Sequence, residues 1–206
     1  NEYDEILDYR TVRTQAWSPD LECLKRQEVP AKEADGEICE MNTDPSWADR
    51  FFFLTIELRE RGRLLSRQAY WPKCLSLLEE EGMAKRCRSH PQENFRLDKG
   101  PWLKPQVEAC KGAVLQAKVA SWDCRGRRAS CLLRIWNAGE KPAFPVCIRF
   151  VEPSVRSVAE DNFFWLEAGE ERILWVEADG QEGIPERLTI RLSAWNAEEV
   201  TLRTGI

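Results

Sequence analysis

Polar and apolar residues alternate with a period of two in short segments along most of this chain. Thr11 to Trp17, TVRTQAW, sets Val12, Thr14 and Ala16 on one face. Phe51 to Arg59, FFFLTIELR, sets Leu54, Ile56 and Leu58 against Thr55, Glu57 and Arg59. The polar turn around Gly62 then leads into LLSRQAYW, a pattern that predicts a hairpin. LECLKRQEV (21–29) and GEICEM (36–41) read as two further strands. Alternation resumes after Pro105. VLQAKVASW groups Leu115, Ala117 and Val119, SCLLRIWNAG groups Leu133 and Ile135 with Arg134 opposite, and PVCIRFVE groups Val146, Ile148 and Phe150. RILWVEA follows an acidic, glycine-containing turn. RLTIRLSAWN is the most regular, with Leu188, Ile190, Leu192 and Ala194 on one face and Thr189, Arg191, Ser193 and Trp195 on the other. Short strands separated by frequent turn signals predict antiparallel sandwiches. Strands do not alternate with helices as a parallel α/β sheet requires.

The pattern breaks between Pro72 and Pro105, where polar clusters, a Pro-Gln and a Gly-Pro replace it. LSLLEEEGMAKR has the makings of a short helix between Leu75 and Lys85, weakened by Gly82. The predicted organisation is therefore all-β. One sandwich lies at 1–72, a connector with a short helix at 73–100, and a second sandwich at 101–206, opened by the packing of Trp102 and Leu103. A chain of 206 residues is long enough for two such cores.

Charge narrows the function. The formal net charge of −5 argues against a nucleic-acid binder, which needs a basic face. No apolar run reaches the length of a membrane span, and the opening NEYDEILDYR lacks the basic start and apolar middle of a secretion signal. The eight cysteines have irregular spacing without a C-x-x-C, and His90 is the single histidine. Reduced, mostly buried thiols are the favoured reading, ahead of one or two disulfides and well ahead of a metal site. No metal or cofactor is expected.

Several motifs occur in order in the second half: GPWLKPQVE, RIWNAGEKPAFPVCIRF, EDNFFWLEAGEERILWVEA and LTIRLSAWNAE. Together they resemble the C-terminal β-sandwich domains of glycoside hydrolase family 2, on the branch of β-mannosidases and exo-β-glucosaminidases. YRTVRTQAWSPDLE and LLSRQAYW resemble the preceding sandwich of the same enzymes, so the resemblance runs over nearly the whole chain. Asp161-Asn162-Phe163-Phe164 followed by Gly169-Glu170-Glu171 carries it best. The resemblance implies immunoglobulin-like sandwiches attached to a catalytic (β/α)₈ barrel. That barrel holds the family's two catalytic glutamates, and no segment here matches it.

No residue of this chain is assigned a catalytic, cofactor-binding or metal-binding role. Asn1-Glu2 copies the asparagine–glutamate pair of the family's acid/base residue, but no strand precedes it in this sequence. Glu167, Glu170 and Glu171 read as solvated turn residues. Asp161 to Phe164 reads as a corner whose phenylalanines enter the core, with a sugar-contacting rim as the second reading. Of the nine tryptophans, Trp17, Trp122, Trp136 and Trp195 fall in or at the ends of strands, and Trp47, Trp71 and Trp102 near loops or the connector. Trp136 and Trp195 point away from the aliphatic faces of their strands. They are assigned first to packing against another domain, with ordinary core and a glycan platform as alternatives. His90 reads as a surface residue. The partners in view are the catalytic barrel, a carbohydrate and a second copy of the chain. The functional expectation is a non-catalytic brace for the barrel. Its rival is a pair of carbohydrate-binding modules that use exposed tryptophans.

Overall fold

A computed structural model describes residues 10–18, 20–31, 53–70, 100–185 and 187–204. The expected strand at 36–41, the connector, the helix at 75–85, His90 and Asn1-Glu2 lie outside these residues, as do the side chains of Trp47, Trp71 and Trp102. The chain divides into two compact units between Gln106 and Val107. Among the described residues every strand pairing is antiparallel, and the fold is all-β apart from one short helix.

The first unit contains β1 (Arg10–Trp17), β2 (Cys23–Pro30), β3 (Phe53–Glu60) and β4 (Arg63–Tyr70), in one sheet of order β2-β1-β3-β4. The hairpin between β3 and β4 turns at Arg61 and Gly62, both with positive φ, as a two-residue turn matching strand twist requires. Burial in this sheet departs from the sequence pattern. Leu54, Ile56 and Leu58 are only half-buried, whereas Phe53, Thr55 and Glu57 are fully buried. Along β1, Val12, Thr14 and Ala16 are buried, but so are Gln15 and Trp17 on the opposite face. A binary pattern assigns the polar face to water. Here that face is the more buried one.

Gly100–Ala109 forms the helix α1, which the sequence pattern did not predict; the helix expected between Leu75 and Lys85 lies outside the described residues. Pro101 fits the first turn, where a missing N–H loses nothing. Pro105 lies inside the helix, where proline is unfavourable. Val107 near the helix end and Cys110 just beyond it are buried, and such packing outweighs the local penalty.

The second unit is a sandwich of two four-stranded sheets. One has the order β5-β6-β10-β8 and the other β12-β11-β7-β9. The strands are β5 (Leu115–Arg125), β6 (Arg128–Asn137), β7 (Ala143–Phe150), β8 (Val155–Ala159), β9 (Phe164–Leu166), β10 (Glu171–Gly180), β11 (Thr189–Ala194) and β12 (Ala197–Arg203). The faces read from alternation are the buried ones. Leu133, Ile135, Val146, Ile148, Ile190 and Leu192 meet in one core between the sheets. The strands β8, β9 and β12 are additions to the sequence reading, being short or interrupted by charge.

Asparagines close this sandwich. Asn137 of the Trp-Asn-Ala-Gly motif is fully buried. Its Oδ1 accepts from Val114 N at 3.1 Å and Gly139 N at 3.0 Å, and its Nδ2 donates to Lys141 O at 2.8 Å and Leu166 O at 3.2 Å. Gly139 is required by contact: a Cβ there would lie 2.1 Å from Gly112 O. The second Trp-Asn-Ala, at 195–197, repeats the device. Asn196 Oδ1 accepts from Phe144 N at 3.1 Å, and Nδ2 donates to Pro142 O at 2.8 Å. Between them the two side chains hold the connection from β6 to β7. Asn137→Ala orphans several buried backbone groups, each worth about 1–3 kcal/mol. Chemical denaturation should show a loss of about 3 kcal/mol or more. A change below about 1 kcal/mol would mean that the clamp is not structural.

Candidate functional site

Three places gather polar or aromatic chemistry. The first is the corner from Glu160 to Leu166, where the chain leaves the sheet of β8 and enters that of β9. Asn162 makes the crossing by imitating a strand. Its Oδ1 accepts from Ile148 N at 2.8 Å and its Nδ2 donates to Ile148 O at 3.0 Å. Asp161 Oδ2 pairs with Arg172 Nη1 at 2.7 Å, and that guanidinium stacks 4.5 Å from the Phe164 ring centroid. Phe164 is buried, and Trp165 lies deeper, with its ring 5.3 Å from that of Phe144. Phe163 does not enter the core as expected. It is 66% exposed with φ of 61°. The Asn162 bonds fix the turn so that only the second phenylalanine faces inward.

The acidic turn that follows is structural. Glu170 Oε2 accepts from Glu167 N at 2.8 Å, while the Glu170 carbonyl accepts from Asn137 N and the Asn137 carbonyl from Gly169 N. Glu171 forms an exposed ion pair with Arg134 on the neighbouring strand. Each of these carboxylates is engaged at the surface or in the turn.

The second place is Glu57, the largest departure from the sequence reading. Its carboxylate is 0% exposed. Arg59 Nε donates to Oε2 at 2.7 Å, Arg67 Nε to Oε1 at 2.7 Å, and Arg13 Nη1 stands 3.7 Å from Oε2. Arg13 also bonds Glu28, whose Oε2 accepts from its Nε at 2.9 Å. Trp17 Nε1 donates to Thr55 Oγ1 at 3.0 Å beside this network. Burial by itself raises the pKa of Glu57. The hydrogen bond from Arg59, with the charge and hydrogen bond of Arg67, outweighs it and holds the carboxyl below the ordinary 4.5. With both oxygens held by guanidinium groups, this carboxylate serves packing rather than proton transfer.

The third place is the outer face of the sheet β5-β6-β10-β8. Trp175 and Ile173 project from β10 and Val158 from β8, exposed by 52%, 56% and 72%. Leu132 lies opposite Trp175 on β6. At the end of the same face, an open groove of about 460 Å³ runs between Asp123, Arg125, Arg128, Arg156, Glu177 and Asp179. Of the strand tryptophans, Trp17 is buried and Trp122 is half-buried against the core. Trp136 lies half-buried with Arg134 5.7 Å from its ring centroid. Trp195 is half-buried and meets Phe144 of its own unit edge-on at 6.2 Å. Trp175, the exposed tryptophan among the described residues, drew no expectation. Its signal was visible, since alternation along RILWVEA places it opposite Leu174 and Val176.

Cys23, Cys110, Cys124, Cys131 and Cys147 are thiols. Cys110 and Cys131 are buried, Cys147 is half-buried, and Cys23 and Cys124 are exposed; Cys39, Cys74 and Cys87 lie outside the described residues. Burial pushes the pKa of Cys131 up to about 12 and also raises that of Cys147, which suppresses the reactive thiolate. Among the described residues no group of histidine, cysteine, aspartate and glutamate side chains could hold a metal ion.

No protein-family model matches the chain, and no curated protein matches it. Solved structures do. An exo-β-D-glucosaminidase, CsxA, studied with a glucosamine-configured castanospermine inhibitor, is similar at a TM-score of 0.61 and 14% identity. The match covers 95% of this chain and 23% of that one. The Amycolatopsis orientalis exo-chitosanase CsxA is similar at a TM-score of 0.61 and 13% identity, with 95% and 24% covered. The chain thus spans about a quarter of the length of these structures, and at this identity the likeness is one of fold.

Phe164 and Phe163 should respond oppositely to truncation. Phe164→Ala should cost about 3–5 kcal/mol, and Phe163→Ala no more than about 0.5 kcal/mol, as at an exposed position. Equal losses in denaturant unfolding would refute the corner. Glu57 predicts a pH dependence. Its folded pKa lies below the unfolded value, so its stabilisation is present above about pH 4.5 and is lost as pH falls through the folded value. Glu57→Gln should cost about 3 kcal/mol at pH 7 and flatten the acid limb of the stability curve. An unchanged acid limb would assign acid sensitivity to other carboxylates.

Proposed function

We propose that this chain is the non-catalytic C-terminal portion of a family 2 glycoside hydrolase, on the β-mannosidase and exo-β-glucosaminidase branch. Its sandwiches would brace a catalytic barrel carried elsewhere in the protein. The observation that carries this reading is the fold likeness to exo-β-glucosaminidase structures. It runs through 95% of this chain while accounting for only 23% of that enzyme. The ordered family-like motifs, and their structural employment in the corner and the asparagine clamps, support it. So do the carboxylates. Hydrolysis with retention needs two carboxyl groups about 5 Å apart around a sugar, whereas Glu57 is closed in by arginines and Glu170 is bonded within its turn.

The rival reading, a carbohydrate-binding pair, draws its support from the exposed Trp175. The two make different demands. On the bracing reading, the purified chain hydrolyses no aryl β-mannoside or β-glucosaminide above background. An antibody to it should detect, in cells of the source organism, a polypeptide several times its length with that activity. A native product of the chain's own size, or turnover by the chain that one glutamate substitution abolishes, would overturn the proposal.

A further inference from the structure

We propose that the first unit carries an acid-sensitive latch: a row of charged side chains, Glu28–Arg13–Glu57–Arg67, holds its four strands together, and neutralising the carboxylates of that row opens the sheet while the second unit stays folded. This device owes nothing to the glycosidase reading and holds for the chain by itself.

Strand register draws the row. Glu28 on β2 lies opposite Arg13 on β1, Arg13 opposite Glu57 on β3, and Glu57 opposite Arg67 on β4. Negative and positive charge therefore alternate across the sheet, the favourable order for cross-strand pairs. The side chains meet as the register directs. Glu28 Oε2 lies 2.8 Å from Arg13 Nη2, Glu57 Oε2 lies 3.7 Å from Arg13 Nη1, and Glu57 Oε1 accepts from Arg67 Nε at 2.7 Å. Two neighbours complete the row. Arg59 of β3 donates to Glu57 Oε2 at 2.7 Å, and Thr11 of β1 donates to Glu28 Oε1 at 2.8 Å. Among the described residues of these strands, the remaining charged group on this face is Arg26 of β2, opposite Gln15 in the next row.

Glu57 is the one charged side chain among the buried described residues. Ionised, it offsets the guanidiniums around it, of which Arg67 is itself only 6% exposed. A proton on the carboxylate removes that charge. The arginines cannot lose theirs, so like charges are left crowded out of water, and separation of the strands relieves them. Burial raises the pKa of Glu57, but the hydrogen bond from Arg59 and the charge and hydrogen bond of Arg67 outweigh it; hydrogen bonds from Thr11 and Arg13 lower that of Glu28. Both carboxyls stand below the ordinary 4.5 in the folded sheet and return to it on opening, so opening takes up protons. The stabilisation is present above about pH 4.5 and is lost as pH falls through the folded values. The second unit has no counterpart among its described residues. Its buried polar side chains are those of Asn137, Asn196 and Thr204, which do not titrate, and its core cluster carries no charge. Its ion pairs keep at least 25% of each side chain in solvent, where pairing is worth little. Acid therefore acts on one unit and spares the other.

The test is an acid titration of the 206-residue chain followed by NMR, with the backbone amides of β1–β4 and of β5–β12 read separately. The β1–β4 amides should lose their native dispersion below about pH 4.5, and those of β5–β12 should keep theirs to a lower pH. Glu28→Gln removes one charge of the row at every pH and should move the first unit's midpoint upward. Glu171→Gln, at an exposed pair of the second unit, should leave that midpoint in place. Glu57→Gln brings the released state to neutral pH. At about pH 6 its β1–β4 amides should exchange with solvent roughly tenfold or more faster than in the unsubstituted chain, and those of β5–β12 at the same rate. A first unit that does not fold in this variant is the extreme of the same result. One shared midpoint for both units, loss of the second unit first, or a first unit still ordered at about pH 2 overturns the proposal. So does a first-unit midpoint that Glu28→Gln leaves unmoved, or exchange that Glu57→Gln accelerates equally in both units.

Discussion

Three asparagine side chains hold β7 and its lead-in, and the second sandwich depends on that hold. Asn137 and Asn196 reach Lys141, Pro142 and Phe144 before and at the start of the strand, and Asn162 pairs with both backbone groups of Ile148 within it. A chain that passes from one sheet to another leaves ladder partners behind. Buried backbone groups without partners are costly. An amide side chain carries both a donor and an acceptor, so one asparagine replaces a piece of missing strand. A carboxylate of the same shape supplies only acceptors when ionised. With β7 fixed, Phe144 is positioned against Trp165 and Trp195, and Asn162 turns Phe164 inward while leaving Phe163 in water.

The first unit solves a different problem. Its sheet buries a charge rather than a backbone group. Glu57 loses water but gains the guanidiniums of Arg59 and Arg67, with Arg13 close by. Such a cluster contributes less to net stability than its contacts imply, because desolvation opposes them. It does specify register strongly. A slip of one residue would turn Glu57 to the aliphatic face and leave arginines facing one another.

Both devices serve a protein whose recognisable chemistry is architectural. The carboxylates of the corner and turn fasten strands, and burial keeps the Cys131 thiol in its unreactive form. The outer sheet face stands apart. Trp175 and the balanced charges beside it are not needed by the core, which lies on the other side of the same strands. A surface feature that the fold does not require is where function is expected on a scaffold of this kind.

Much of this was legible in the sequence. Alternation in RLTIRLSAWN and SCLLRIWNAG identified strands and buried faces, because in a two-sheet sandwich the inward side chain every second residue must be apolar. The corner at Asp161–Phe164 was legible as a turn, though not which phenylalanine it buries. In the first sheet, FLTIELRE gave a strand, but its alternation pointed to the wrong face as the more buried. Arg13, Arg59 and Arg67 reach Glu57 from three different strands, and no local pattern records that meeting. The partners of Asn137 and Asn196 were hidden for the same cause. Local sequence determined which segments became strands and which side chains were apolar. Only the tertiary structure decided which polar groups found partners, since a hydrogen bond or ion pair depends on atoms brought within about 3 Å from distant parts of the chain.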